Sequence, residues 1–124
     1  MRKIIFDTSF LISLAEYYSI DEFINRYMEY EFLIPRSVIN ELNKLAKSSF
    51  KKASSSRLLL NIIKNYSKYF KIIESTSDKV DEDVIYLAKR YNAVVATTDR
   101  SVRRKASEYG IKVLYFRDKY PIID

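Results

Sequence analysis

Two kinds of hydrophobic pattern alternate along this chain. Short runs rich in β-branched and aromatic residues have the length and composition of buried strands, and longer stretches with apolar residues every three or four positions are typical of amphipathic helices. The predicted strands are "KIIF", "EFLI", "YFKII", "AVVAT" and "KVLYF". The predicted helices are "DEFINRYMEY", "SVINELNKLAK", "SSSRLLLNIIKNY", "DEDVIYLAKRY" and "RSVRRKASEY". Strands that alternate with helices in this way indicate βαβ units.

The order of these elements predicts one α/β domain. Parallel strands need a crossover connection, and a helix is the usual one. We therefore expect a three-layer α/β/α sandwich with a central, about five-stranded parallel sheet, formed by residues 1–124 as a single domain. Asn92 and Gly110 are expected to end two of the helices, because both tolerate the left-handed conformation. Functional sites of such folds lie beyond the carboxyl ends of the strands.

Composition excludes several kinds of chemistry. The chain contains neither Cys nor His, so thiol nucleophiles, histidine bases, disulfides and zinc sites with nitrogen or sulfur ligands are excluded. Any reaction must use carboxylates, hydroxyls, amines or a metal. Asp7 interrupts the apolar start of the chain too early for a signal peptide, and no stretch is long enough to span a membrane. We expect a cytoplasmic protein without membrane association.

Four acidic residues from distant parts of the chain are expected at one edge of the sheet. Asp7 and Asp99 each follow a predicted strand, and Glu41 lies in the second turn of the helix after "EFLI". Asp81 opens a helix that rises about 15 Å, and the next strand returns about 16 Å, so Asp81 comes back to the edge where Asp99 lies. Taken alone, Asp7 and Asp99 could be helix caps and Asp81 a first-turn acid, but Glu41 in the second turn fits such an explanation less well. Together, four carboxylates with no histidine favour a divalent cation, and oxygen ligands suit Mg²⁺ or Mn²⁺.

The chain is basic, with a formal net charge of +6 and a sequence pI of about 9.4, which favours a polyanionic partner. Residues 44–71 contain no acid, and "RSVRRK" at 100–105 forms a second cluster. Solvated helix faces are the simpler interpretation. A basic surface beside an acidic metal site, however, suits a phosphodiester. The side chains expected to contact phosphates are Lys44, Lys47, Lys51, Lys52, Arg57, Arg103 and Arg104.

Three segments together resemble the PIN-domain nucleases. The segment "IIFDTSFLI" resembles the family's opening strand and Asp, and "FLIPRSVINELNKL" its strand, Pro and Glu-bearing helix. The segment "DEDVIYLAKRYNAVVATTD" resembles its Asp, apolar helix and strand ending in Thr, any residue and Asp. The resemblance runs over nearly the whole chain, and it implies a metal-binding and catalytic quartet of Asp7, Glu41, Asp81 and Asp99.

The same resemblance implies roles for three further residues. Asp81 is preferred over its rival Asp83 because it stands ahead of the apolar positions of its helix as in the family. Ser9 and Thr97 are implied as hydroxyls that support the quartet.

The resemblance implies an endoribonuclease that depends on Mg²⁺ or Mn²⁺ and acts on RNA, forms a homodimer and serves in rRNA processing or RNA turnover. Residues 80–116 resemble archaeal relatives of the small-subunit rRNA-processing endonucleases, which would act on a ribosomal precursor particle. The VapC toxin branch, which pairs with an antitoxin, is the near alternative. A non-catalytic PIN scaffold that binds RNA or protein is a third interpretation.

Two other classes are disfavoured by the residues around Asp7. A receiver domain would need a pair of acids after the first strand, and a haloacid-dehalogenase phosphatase would need an Asp at position 9, which is Ser9.

Overall fold

A computed structural model describes all residues, 1–124, as a six-stranded sheet with six helices. The strands are β1 (Arg2–Phe6), β2 (Tyr30–Pro35), β3 (Phe70–Ile73), β4 (Val94–Ala96), β5 (Val113–Arg117) and β6 (Tyr120–Ile123). The helices are α1 (Thr8–Tyr17), α2 (Ile20–Arg26), α3 (Arg36–Ala46), α4 (Ala53–Asn65), α5 (Val80–Tyr91) and α6 (Arg100–Glu108).

The sheet has the strand order β3-β2-β1-β4-β5-β6. Strands β1 to β5 are parallel, and β6 pairs with β5 in the antiparallel sense. In the centre of the sheet, Ile4 of β1 lies opposite Phe32 of β2 on one side and opposite Val94 of β4 on the other. The strand order changes direction between β1 and β4. A change of direction of this kind leaves a crevice at the carboxyl ends of the two strands. The predicted α/β sandwich is confirmed.

Aromatic packing beneath this crevice fixes the central strands. The ring of Phe6 lies 5.6 to 6.1 Å, between centroids, from the rings of Phe10, Phe23, Phe32 and Phe70. All five side chains are buried, so they join the end of β1 to α1, α2, β2 and β3. The residue that follows Phe6 therefore leaves a rigid part of the core. No helix has both the length and the apolar composition required to cross a membrane.

The ends of two helices follow the prediction. Asn92 caps α5 with a φ of 53°, and Gly110 has a φ of 71° just after α6. Both are in the left-handed region that Asn and Gly tolerate best.

The structure corrects the prediction in two places. The sixth strand was not predicted, because the turn at Asp118 and Lys119 that precedes it contains no Gly, although both residues have positive φ. The segment predicted as one helix at 21–30 is the shorter α2, preceded by the separate α1. The Ser19 hydroxyl accepts a 3.3 Å hydrogen bond from the Glu22 N–H and so sets the start of α2.

Candidate functional site

All four predicted acids line one cavity of about 680 Å³, where the carboxyl ends of β1 and β4 open beside helices α1, α3, α5 and α6. Asp7 joins β1 to α1, and Asp99 is the N-cap residue of α6. Glu41 projects from α3, and Asp81 from the first turn of α5. Four separate segments of the chain thus bring a carboxylate each to one cavity.

Asp7 combines a structural role with a place in this cavity. Its backbone N–H continues the pairing of β1 with β4 by a 2.9 Å hydrogen bond to the Ala96 carbonyl. The Oδ1 atom of Asp7 accepts a 2.9 Å hydrogen bond from the N–H of Thr8, as an N-cap does. Its Oδ2 atom accepts hydrogen bonds from the hydroxyls of Thr97, at 2.6 Å, and Ser9, at 3.1 Å. Capping therefore explains only one of the two carboxylate oxygens.

The Asp7 carboxylate is in an environment that disfavours its charge. Asp7 is only 6% exposed, and this burial raises its pKa. Hydrogen bonds from Thr97, Ser9 and the Thr8 backbone lower the pKa, but they do not cancel the rise. The nearby charge of Glu41 raises the pKa further. A cation in the cavity would act in the opposite direction and favour the ionised carboxylate.

Asp99 is held by the start of α6. Its Oδ1 atom accepts hydrogen bonds from the Ser101 hydroxyl at 2.7 Å and from the Ser101 N–H at 2.8 Å. These bonds hold the pKa of Asp99 below its ordinary value. The N–H of Asp99 donates a 3.1 Å hydrogen bond to the Thr97 hydroxyl, which also contacts Asp7. Thr97 therefore connects two of the four acids.

Asp81 and Asp83 occupy different environments, although they are two residues apart. Asp81 is exposed and lines the cavity. Asp83 is fully buried outside the lining of that cavity, and it accepts hydrogen bonds from the Ser37 hydroxyl at 2.7 Å and from the Thr76 N–H and hydroxyl at 2.8 and 3.0 Å. Burial raises the pKa of Asp83, but hydrogen bonds from Ser75, Thr76 and Ser37 together hold the pKa below its ordinary value. Asp83 thus links the start of α5 to α3 and to the preceding loop.

A fifth acid, Asp78, lines the same cavity and was not among the predicted residues. It lies in the irregular loop before α5, where no hydrophobic periodicity gives a register. Its spacing of three residues from Asp81 is the one signal that could have drawn attention to it.

The cavity carries an excess of negative charge. The lysines of its lining are Lys52 and Lys79, and each pairs with a glutamate outside the lining, Lys52 with Glu16 at 3.2 Å and Lys79 with Glu82 at 3.6 Å. None of the acids that line the cavity forms a salt bridge. As the side chains stand, no group of three or more acidic residues is arranged to hold a metal ion.

The lysines that were predicted to contact phosphates fall into two groups, those that line a cavity and those that do not. Lys52 lines the acidic cavity, and Lys44 lines a smaller one of about 310 Å³ together with Glu41 and Asp78. Lys47 and Lys51 are exposed near the connection between α3 and α4.

The arginines differ in their surroundings. Arg103 and Arg104 line a separate depression on α6 with Arg100. Arg57 donates a 2.8 Å hydrogen bond to the Ala46 carbonyl, so its guanidinium holds α4 against the end of α3.

Comparisons with known proteins agree with this architecture. The model of the PIN-like domain matches residues 4–119. Ribonuclease VapC4 of Methanocaldococcus jannaschii is 32% identical over 125 residues, which cover 96% of this chain and 93% of the relative. Ribonuclease VapC9 of Archaeoglobus fulgidus is 33% identical over 88 residues, which cover 70% of this chain and 62% of the relative. The solved structure of the PIN domain endonuclease Utp24 superimposes with a TM-score of 0.79 at 20% identity, over 98% of this chain and 90% of that one. The chain therefore belongs to the PIN-domain family of nucleases.

Proposed function

We propose that this protein is a metal-dependent endoribonuclease that hydrolyses RNA phosphodiester bonds. The observation that carries the proposal is the cavity at the ends of β1 and β4, where acids from four segments meet while the neighbouring lysines pair with other glutamates. The relatives VapC4 and VapC9 are both named as ribonucleases, which supports RNA as the substrate.

The donor chemistry of the cavity fits Mg²⁺ or Mn²⁺. Its acidic side chains offer only oxygen ligands, which these hard cations prefer, and the chain has no His or Cys to favour a softer metal. When bound, such a cation supplies a water of lowered pKa and a Lewis acid for phosphate oxygens. The residues proposed to hold it are Asp7, Glu41, Asp81 and Asp99.

The other residues of the site would position these ligands and the substrate. The hydroxyls of Ser9 and Thr97 fix Oδ2 of Asp7, and Ser101 fixes Oδ1 of Asp99. Lys44 lines a cavity with Glu41 and Asp78, which supports a role in binding a phosphate of the RNA backbone next to the bond that is cut. Lys52 lines the acidic cavity. It could bind a phosphate in the same way if the phosphate replaced Glu16 as its partner.

The biological role best supported is that of a VapC-type ribonuclease with an antitoxin as its partner. VapC4 matches along nearly the full length of both chains, whereas the likeness to Utp24, at 20% identity, supports the fold alone. A role in rRNA processing on a ribosomal precursor particle is the second candidate, and it rests on the sequence resemblance. Co-expression with the product of an adjacent small gene separates the two, because an antitoxin should form a stable complex that suppresses cleavage.

Cleavage of a labelled single-stranded RNA tests the enzymatic proposal. The metal-free protein should be inactive in EDTA and regain activity with Mn²⁺ or Mg²⁺. Asp99→Asn should abolish cleavage, because it removes one anionic ligand. Asp118→Asn is the matched control, since Asp118 is an exposed acid in the β5–β6 turn, away from the cavity. Cleavage that survives EDTA, or that survives in Asp99→Asn at the level of Asp118→Asn, would overturn the proposal.

A further inference from the structure

A groove between α5 and α6 leads away from the acidic cavity. Its first part is a depression of about 510 Å³ whose lining includes Ser77 and Glu82, the chain neighbours of the cavity residues Asp78 and Asp81. Its far part is a cavity of about 680 Å³ at the amino-terminal edge of the sheet, lined by the start of β1 and the ends of α5 and α6. Lys89 and Tyr109 line both parts. The three concave regions thus follow one another along α5.

Side chains on one face of α5 and at the end of α6 form the two walls of this groove. On α5 the lining residues are Glu82, Ile85, Tyr86 and Lys89, whose spacing of three and four places them on one face of the helix. On the other wall, Lys105 and Tyr109 are four residues apart. The lining residues extend from Glu82 to Asn92 along α5 and its cap, a distance of about 15 Å.

Exposed aromatic rings lie beside lysines in this groove. Tyr86 and Tyr109 are large hydrophobic side chains, yet each is 55% exposed. The Nζ atom of Lys89 lies over the Tyr109 ring, 3.2 Å from its centre, so it covers one face of that ring and a base would stack on the opposite face. Aromatic side chains that can stack on bases, next to cations that can contact phosphates, are the features of surfaces that bind single-stranded nucleic acid. A duplex offers no free base faces for such stacking.

The charge of the groove becomes more positive with distance from the acidic cavity. Its first part contains Lys89 and Lys105 together with Glu82, and Glu82 already pairs with Lys79. The far part contains no acid and is bordered by Lys3, Lys89 and Lys112, together with Arg2, which pairs with Glu29 at 3.2 Å. This gradient suits a polyanion that extends away from the acidic cavity.

We propose that the α5–α6 groove binds the single-stranded RNA on one side of the cleavage site. Tyr86 and Tyr109 stack on bases, and Lys89 and Lys105 contact phosphates. The strand then continues to the basic cavity at the opposite edge of the sheet. This inference rests on the proposed ribonuclease function and adds the path of its substrate.

Binding of a fluorescently labelled single-stranded RNA in EDTA, with the RNA shown to stay intact, tests the path. The double variant Tyr86→Ala and Tyr109→Ala should bind at least about fivefold more weakly for each tyrosine removed. The matched control is Tyr17→Ala with Tyr120→Ala, because these tyrosines are 55% and 61% exposed and Tyr17 also has a lysine, Lys119, 5.5 Å from its ring centre. The control should bind like the wild type.

Three further arms separate stacking from charge and from misfolding. Replacing both groove tyrosines by Phe should preserve the affinity, because the rings remain. With an RNA of equal length that lacks its bases, the Ala variant and the wild type should bind equally. Replacing Lys89 and Lys105 by Ala should make the dependence of log K on log salt shallower by about 0.7 for each lost phosphate contact.

The outcomes distinguish the two proposals. If the wild type binds RNA and the groove variant binds as tightly as the control, the path is overturned and the ribonuclease function stands. The path is equally overturned if the groove variant loses only the binding of an antitoxin, since the groove is then a protein-docking surface. If the wild type neither binds nor cleaves RNA, both proposals fall.

Discussion

The hydroxyl of Thr97 donates a 2.6 Å hydrogen bond to Oδ2 of Asp7, and so joins the chain just after β4 to the chain just after β1. The same hydroxyl accepts a 3.1 Å hydrogen bond from the N–H of Asp99. Two acids that are 92 positions apart in the sequence are therefore fixed relative to each other by one side chain. Thr97 thus positions two of the four acids that are proposed to hold the cation.

Thr97→Val should lower activity by about 10- to 100-fold, the range typical for the loss of a group that orients a metal ligand. The hydrogen bond from Thr97 lowers the pKa of Asp7, so its loss should raise that pKa and move the acidic limb of the pH–rate profile to higher pH. Thr97→Ser keeps the hydroxyl, so its rate and the acidic limb of its pH–rate profile should match those of the wild type. An unchanged rate and an unchanged acidic limb in Thr97→Val would show that this contact does not serve the reaction.

Asp81→Asn should abolish cleavage while changing the free energy of unfolding by less than about 0.5 kcal/mol, because Asp81 is exposed and lines the cavity. Cleavage assays and urea unfolding on the same preparations check this. If Asp83→Asn is inactive while well folded, and Asp81→Asn is active, the assignment of the ligand is wrong by two residues.

Asp83→Asn should lower the free energy of unfolding by about 1 to 3 kcal/mol at pH 7, because donors from Ser37 and Thr76 lose a buried charged acceptor. The pKa of Asp83 is lower in the folded protein than its ordinary value of 3.8, so its ionised form stabilises the fold above that pH. The stabilisation is lost as the pH falls through the folded pKa. The difference between wild type and variant, measured by urea unfolding, should therefore shrink in strong acid, and a difference that is constant with pH would contradict the linkage.

The basic residues at positions 51–52 and 103–104 should control the salt dependence of RNA binding. Replacing all four by Ala should weaken binding under Ca²⁺ and make the salt slope shallower by about 0.7 per lost phosphate contact; the four are Lys51, Lys52, Arg103 and Arg104. A control variant removes the same charge from exposed positions elsewhere, namely Lys64, Lys68, Lys71 and Lys119. Equal slopes in the two variants would mean that these clusters are only solvated surface.

The homodimer stays a prediction, and the structure leaves fewer exposed aromatic side chains to support it than the sequence suggested. Besides the family resemblance, the homodimer prediction rests on a content of 11 Tyr and 7 Phe, but most of the Phe side chains fill the core around Phe6. The exposed apolar side chains include Phe50 at 74% and Leu58 at 50%, both near or on α4. Light scattering at micromolar concentration should give twice the 14.7 kDa of one chain. A monomer mass would refute the dimer.

The hydrophobic pattern was sufficient to predict the five parallel strands of the sheet and the edge at which the acids meet. The buried parts of β1 and β4 are short apolar runs, and residues that follow parallel strands share an edge whatever their distance along the chain. The role of Asp83 could not be predicted in this way, because its partner Ser37 is 46 residues away and only the packing of α5 on α3 brings them together. Strand β6 depended on a turn with two residues of positive φ and no Gly, which leaves no sequence signal.

Binding of Mn²⁺, followed by electron paramagnetic resonance of the free ion, tests the central claim that the acids of this cavity hold a divalent cation. The wild type and the control Asp118→Asn should bind Mn²⁺ with the same affinity. Asp7→Asn and Asp99→Asn should each bind it at least about tenfold more weakly, because each removes an anionic ligand. Equal Mn²⁺ affinity in all four proteins would contradict the claim.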